Sequence, residues 1–199
     1  VDDIEHPYST EKGNNFEWIR GNQLGGRSLL WHRQSYRWSD MDFSSNARDG
    51  YGTDWPVRYK DMKPWYDYVE EFVGVSGTLE GMEQLPDGIF LPPIGFNCAE
   101  EEFGRRIGNT YNDRRLIPGR CAHLTEPKPI HTDLGRGTCQ SRNQCQRGCS
   151  LGAYFSSQSA TLPAAKRTGN LTIITDSIVD SIIYDPKNKK ASGVRVIDS

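Results

Sequence analysis

Two stretches of the chain hold residue types whose spacing could do chemistry. The first is Gly21-Asn22-Gln23-Leu24-Gly25-Gly26-Arg27-Ser28. Adjacent glycines reach positive φ without a Cβ clash and let a backbone come close to a flat or anionic ligand. Their N–H groups can then point at a phosphate or at the edge of a ring. The alternative is a tight turn, because glycine so often only punctuates turns. The stretch does not match the dinucleotide fingerprint G-x-G-x-x-G. The second stretch holds Cys139, Cys145 and Cys149, with five residues between the first two and three between the last two. Three thiolates on one loop can ligate a metal or an iron–sulfur cluster, and Arg142 and Arg147 would favour thiolates electrostatically. The spacing is not the paired C-x-x-C of zinc sites, and only His123 and His131 offer a fourth ligand. A loop disulfide with one spare thiol and three reduced cysteines both stay open. With Cys98 and Cys121 the chain has five cysteines, an odd count that argues against a fully paired framework.

Other candidates are weaker. His6, His32, His123 and His131 sit in no recognisable motif and read as structural or exposed, since a catalytic histidine needs a positioned partner. Asp40 and Asp42 could form an acid pair, but a solvated loop is the preferred reading. No G-x-S-x-G, H-E-x-x-H or P-loop occurs.

Composition narrows the class. The net charge is −2 with both signs interspersed, so no basic block suggests nucleic acid. No apolar run approaches the roughly 20 residues a membrane span needs. Mean hydropathy is −0.70 and glycine and proline are plentiful, yet aromatics reach 11%. That combination reads as a loop-rich folded protein, because disordered chains are poor in aromatics. The first residues, VDDIEHPYSTEKG, are polar and acidic and do not read as a signal peptide. They lack an initiator Met, and the last residues run into a strand pattern, so both ends read as cut from a longer chain.

The elements that would position these stretches follow from periodicity and breakers. Residues 39–55 read as surface loop, with a turn at Asp49-Gly50. Tyr59, Met62, Trp65, Tyr66, Val69, Phe72 and Val73 share one helical face. Pro64 fits only near a helix start, which places that start around Asp61 or Lys63, and Gly74 is the stop. Residues 76–97 read as a long loop, 98–111 as a second helix with acids at its front, and 116–124 as extended. Residues 156–168 read as a helix stopped by Gly169. Residues 171–175, 178–184 and 193–197 read as strands.

Taken together, several blocks carry a resemblance. The runs IRGNQLGGRSLLWHRQSYRWSDMDF and DWPVRYKDMKPWYDYVEEFVGVSG, then CQSRNQCQRGCSLGAYFSSQSATLPAAKRTGNLTIITDSIVDSIIYD and SGVRVID, resemble the glucose-methanol-choline (GMC) oxidoreductases, in family order. Trp31 is usual in the bacterial gluconate, glucose and glucoside dehydrogenase branch. Arg27 departs from the common Ser or Thr. The resemblance implies an α/β fold, here an α+β mixture with long loops, as part of an FAD-binding domain. Residues 21–50 would contact flavin, 139–152 would be the cysteine loop, and 156–199 a helix and strands toward adenine. Gly25, Gly26, Ser28 and Leu29 would lie along the flavin, and the backbone of Val179 would contact the adenine. The dinucleotide-binding unit would precede Val1, and the catalytic His with its partner would follow Ser199. In some relatives the loop matched by Cys139, Cys145 and Cys149 holds a three-iron cluster; a further cysteine of those relatives is Gln140 here. The implied activity is hydride transfer from a sugar or glycoside CH–OH to FAD. A small helper subunit, a cytochrome acceptor and a periplasmic location would accompany it. A non-catalytic scaffold built on this fold and an oxygen-using alcohol oxidase are the competing expectations.

Overall fold

Short extended segments, not a continuous sheet, organise most of the chain. The computed structural model describes residue 4 and residues 7–198, so His6 lies outside the described residues. The chain divides into two compact units, Val1–Ala164 and Ala165–Ser199.

In the first unit the hub is the stretch 121–124. It contains β2 (Cys121–Ala122), which pairs antiparallel with β1 (Val75–Ser76) in the register Val75 to Ala122. Further backbone contacts surround this ribbon. Ala122 N donates to Arg33 O at 2.8 Å, Phe155 N to Ala122 O at 3.0 Å, and Leu124 N to Ala153 O at 3.0 Å. Polar backbone brought into the interior is thereby paired, as it must be. The apolar core around it is small: Val75, Leu91, Ala122, Leu124 and Ala153 are buried. Buried arginines do much of the remaining stitching, because one guanidinium can hold several carbonyls at once. Arg136 donates to Gly152 O at 2.9 Å, Phe72 O at 3.3 Å and Val73 O at 2.8 Å. Arg120 donates to Pro86 O at 2.6 Å and Asp87 at 2.9 Å, which fastens the long loop.

Helices hang on this frame. The helix α3 (Tyr59–Val73) begins two residues before Asp61, so its start is corrected and Pro64 sits inside it. The reason is capping. Arg58 N donates to Asp61 Oδ2 at 2.9 Å and Tyr59 N to Asp40 Oδ1 at 2.8 Å, so the first turn is closed before the proline. Gly74 ends it at φ 78, and the C-terminal carbonyls of Phe72 and Val73 meet the Arg136 cation, favourable against the helix dipole. The helix α4 (Cys98–Thr110) carries the expected acidic first turn, capped by Asn97. Residues 39–55 are not simply loop: they form α1 (Asp40–Phe43) and α2 (Ser45–Asp49), with Gly50 left-handed at the end. Ser39 N and Oγ both donate to Asp42 Oδ2, so Asp40 and Asp42 serve as caps and not as an acid pair. The short α5 (Pro129–Thr132) follows β2.

The last helix is shorter than its sequence pattern: α6 runs Thr161–Arg167. Residues 156–160 are spent in serine turns, where Ser159 Oγ accepts from Ser156 N and Ser156 Oγ accepts from Ser159 N. Side chains that offer such bonds compete with the helical ladder.

The second unit is a hairpin of β3 (Ser177–Asp185) and β4 (Lys190–Asp198), antiparallel, with Ile178 opposite Ile197 and Ile182 opposite Val194. The expected strand at 171–175 is not formed; those residues carry no strand assignment. The chain is thus mixed α and β, with two separate two-stranded ribbons among the described residues.

Candidate functional site

The glycine stretch is a stitched turn beside a cleft. Gly25 has φ 96 and caps a 3-10 turn, Gly26–Leu29, while Gly26 has φ 48. The two glycines are there for different reasons. A Cβ on Gly25 would meet Ser157 Oγ at 2.9 Å and Gln158 Cγ at 3.2 Å, so close packing against the 156–160 turn excludes a side chain. A Cβ on Gly26 would meet nothing nearer than Gly21 O at 4.0 Å, so its open side faces no protein atom. Ser28 is absorbed by structure. Its Oγ donates to Gly25 O at 2.7 Å, sits 2.7 Å from Ser157 Oγ and accepts from Ser157 N at 3.0 Å. Gln158 Nε2 adds a bond to Leu24 O.

Leu29 and Leu30 form one wall of a cleft of about 780 Å³. Arg33, Arg136 and Arg147 also line it, with Gln23, Gln158 and Ser159, and among the described residues no Asp or Glu does. Two of these cations are buried: Arg33 and Arg136 are 3% and 2% exposed. Arg33 donates to Phe155 O at 2.6 Å, to Ser28 O at 3.1 Å and to Trp31 O, and stacks over Tyr154 at 4.0 Å. Burial lowers the pKa of both, that of Arg136 to about 10. Carbonyls and a ring hold these charges; the cleft they line is electropositive and walled partly by aliphatic side chains. Fixed positive charge beside an apolar wall suits an anionic ligand with a flat apolar face. Val179 belongs to the second unit and is described separately. It is exposed, pairs with Val196, and the strand register skips Asp180 beside it.

The cysteine loop lines a second cavity, of about 440 Å³. Cys139, Cys145 and Cys149 all border it, and the fold adds two residues from β2 and its continuation, Cys121 and His123. All five cysteines are free thiols, so no disulfide closes the loop. The thiols point to different surroundings. Cys139 and Cys149 pack against the core cluster of Leu91, Leu124 and Ala153, and Cys139 N is tied to Leu124 O at 2.7 Å. Cys145 is exposed on a 3-10 turn. Among the described residues no three His, Cys, Asp or Glu side chains are grouped so as to hold a metal ion. The three thiols nevertheless border one cavity, the place that the three-iron cluster implied by the resemblance would draw on.

The histidines divide clearly. His131 is fully buried, its Nδ1 accepting from Lys128 N at 2.9 Å and its Nε2 bonded to Glu71 O at 2.7 Å, a structural role. His123 is buried too. Its Nδ1 lies 3.3 Å from Ser76 Oγ, while its Nε2 has no hydrogen-bond partner. Burial lowers its pKa, partly offset by its bond to the Cys121 carbonyl. Burial also pushes the Cys121 thiol up to about 11. Neither Cys121 nor His123 is marked out by the loop spacing; the alternation of Cys121 and His123 on one strand face is the signal that could have found them.

Residues 106–199, which take in the cysteine loop, α6 and the hairpin, match the family model described as GMC oxidoreductase. The chain is 26% identical to the fructose dehydrogenase large subunit of Gluconobacter japonicus over 170 residues, 83% of this chain and 30% of that protein. It is 28% identical to paromamine 6'-oxidase of Streptomyces fradiae, over 83% of this chain and 29% of that one. It is 26% identical to 2-methyl-1,2-propanediol dehydrogenase of Mycolicibacterium austroafricanum, over 89% and 31%. Just under half of the chain is thus similar to the GMC oxidoreductase family, and most of it is similar to these three enzymes. It spans under a third of the length of these curated relatives.

Proposed function

We propose that the protein containing this chain is an FAD-dependent oxidoreductase that oxidises a CH–OH group of a sugar or glycoside. The observation that carries the proposal is the arginine-lined cleft walled by Leu29 and Leu30, at the end of the turn that Gly26 opens, in a chain similar to the GMC oxidoreductases. Bound FAD would supply the hydride acceptor. The residues of this chain have binding roles. Leu29 and Leu30 give an apolar wall, and Gly25 locks the turn onto Ser157 so that Gly26 stays uncovered. Arg33 and Arg136, held on carbonyls, keep positive charge in the cleft without occupying it. Val179 is assigned the adenine-side backbone contact. None of the described histidines is assigned the role of base for the hydroxyl proton, and His131 has both ring nitrogens engaged. The base belongs to another part of the protein.

Sugars are favoured over simple alcohols because a sugar is named in one relative, the fructose dehydrogenase large subunit, and Trp31 fits the sugar-oxidising branch. That relative's designation as a large subunit also supports a small helper subunit here. A cytochrome acceptor and a periplasmic location complete the assignment. The competing assignment, electron transfer to oxygen, is favoured by the relative named an oxidase. The test is steady-state oxidation of a panel of sugars and glycosides by the full-length protein, with a dye acceptor and separately with oxygen. Dye reduction without peroxide supports the dehydrogenase; peroxide formation supports the oxidase; no turnover of any sugar overturns the substrate assignment.

A further inference from the structure

The cavity bordered by the three loop thiols is also bordered by a buried ring nitrogen with nothing to bond. We propose that His123 Nε2 is a fourth ligand, beside the thiolates of Cys139, Cys145 and Cys149, to an iron–sulfur centre seated in that cavity. The inference rests on the cysteine-loop resemblance and is independent of the flavin and of the substrate.

Three observations carry it. First, the nitrogen is left over. His123 is 8% exposed, and its Nε2 is buried with no hydrogen-bond partner among the described residues. Buried polar atoms are almost always paired, so this one marks a group that the chain does not itself supply. Second, the nitrogen is in the form that binds a metal. Ser76 Oγ donates its one proton to Cys121 O at 3.3 Å, so it accepts from His123 Nδ1, which is 3.3 Å away. Nδ1 therefore carries the ring proton, and the neutral ring keeps a lone pair at Nε2. Metal-bound histidines are held in this way, with the other ring nitrogen donating to an oxygen that fixes tautomer and orientation. Third, the ring and the thiols share one wall. His123 follows β2 and pairs with Tyr154, while Cys139 N is bonded to O of the next residue, Leu124, at 2.7 Å. His123, Tyr154 and the three loop cysteines all border the cavity of about 440 Å³.

The other side chains that could be a fourth ligand are engaged. His131 has both ring nitrogens bonded, and the Cys121 thiol donates to His32 O at 3.8 Å. In the described residues the imidazole and the thiols border the cavity without meeting at one point. The loop is what closes the set. Between residues 140 and 148 the one backbone hydrogen bond among the described residues is Arg147 N to Gln144 O. Cys139 is tied to residue 124, so the exposed Cys145 is the ligand that travels when the thiols give up their protons to metal. Three thiolates suffice for a three-iron centre. A fourth ligand gives every iron of a four-iron, four-sulfide centre one protein ligand.

The test uses the full-length protein purified without oxygen. Iron, sulfide and flavin are measured on one sample, and the reduced protein is read by pulsed EPR. The expected result is about four irons per chain, with a nitrogen coupling on the signal of the reduced centre. Growth on histidine labelled with the heavy nitrogen isotope changes that coupling with no substitution at all. His123→Cys keeps the iron and loses the coupling, and His123→Gln falls back to the three-iron form, whose signal belongs to the oxidised protein. Protein without iron, or a three-iron centre in the unsubstituted protein, would overturn the proposal. So would a coupling that the histidine label leaves unchanged, or one that persists in both variants. A nitrogen-coupled centre in a protein that oxidises no sugar leaves it standing, so this inference and the substrate assignment fail separately.

Discussion

Substituting the two adjacent glycines one at a time separates packing from ligand approach. Gly25→Ala places a Cβ 2.9 Å from Ser157 Oγ at φ 96. Backbone strain of that kind costs about 1–3 kcal/mol. Moving Ser157 also breaks its contact with Ser28, worth about 0.5–1.5 kcal/mol. The sum is about 1.5–4.5 kcal/mol of stability. Gly26→Ala meets no protein atom within van der Waals distance and holds a left-handed φ of 48, which costs about 1–2 kcal/mol. If the open side of Gly26 faces the flavin, its alanine variant keeps most of its stability and loses bound flavin. The Gly25 variant unfolds earlier. Urea unfolding followed by tryptophan fluorescence, with flavin content measured on the same samples, reads both quantities. Full flavin content in Gly26→Ala, or equal unfolding midpoints for the two variants, would refute the reasoning.

Three further outcomes follow from the buried charges and imidazoles. Glu70→Gln leaves the fully buried Arg37 side chain short of its main carboxylate and destabilises by about 3–5 kcal/mol, whereas Arg37→Met with Glu70→Gln recovers much of that loss in a double-mutant cycle. Arg136→Met removes three charge-assisted bonds, including both to the end of α3, and lowers the urea midpoint more than Arg142→Met, which loses a bond to exposed Ser150. His123 and His131 both have folded pKa values below 6.5, chiefly from burial, so the unfolded chain binds protons first as pH falls. Stability is therefore fully present above about 6.5 and declines as pH drops below it. His131→Gln should flatten that decline in urea midpoints measured across the interval, and an unchanged slope would contradict the assignment.

Much of this was legible in the sequence where one interaction dominated. The stop of α3 at Gly74, the acidic front of α4 and the Ile- and Val-rich hairpin each follow from a local pattern, whereas Trp65 and Val69 of the expected α3 face are exposed and Glu70 is buried. The misread positions are those where a side chain bonded the backbone from a distance or from three residues away. Asp40 closes the first turn of α3 from nineteen residues earlier, and Asp42 caps its own short helix. The serines at 156–159 take over bonds that a helix would have used. At the candidate site the spacing of glycines and cysteines was visible. The buried arginine Arg33 and the thiol Cys121 were not, because they reach the site through pairing of 121–124 with segments around 33, 75 and 154. Tertiary pairing of that range leaves no mark in local periodicity.

The central claim is that this chain walls a flavin site in a sugar-oxidising enzyme. The direct measurement is anaerobic mixing of the purified full-length protein with sugars and glycosides while the flavin absorbance is recorded. The account predicts a bound flavin that bleaches within a single turnover on addition of at least one such sugar, and a Gly26→Ala variant with little flavin to bleach. A protein that carries no flavin, or whose flavin no sugar or glycoside reduces, would contradict it.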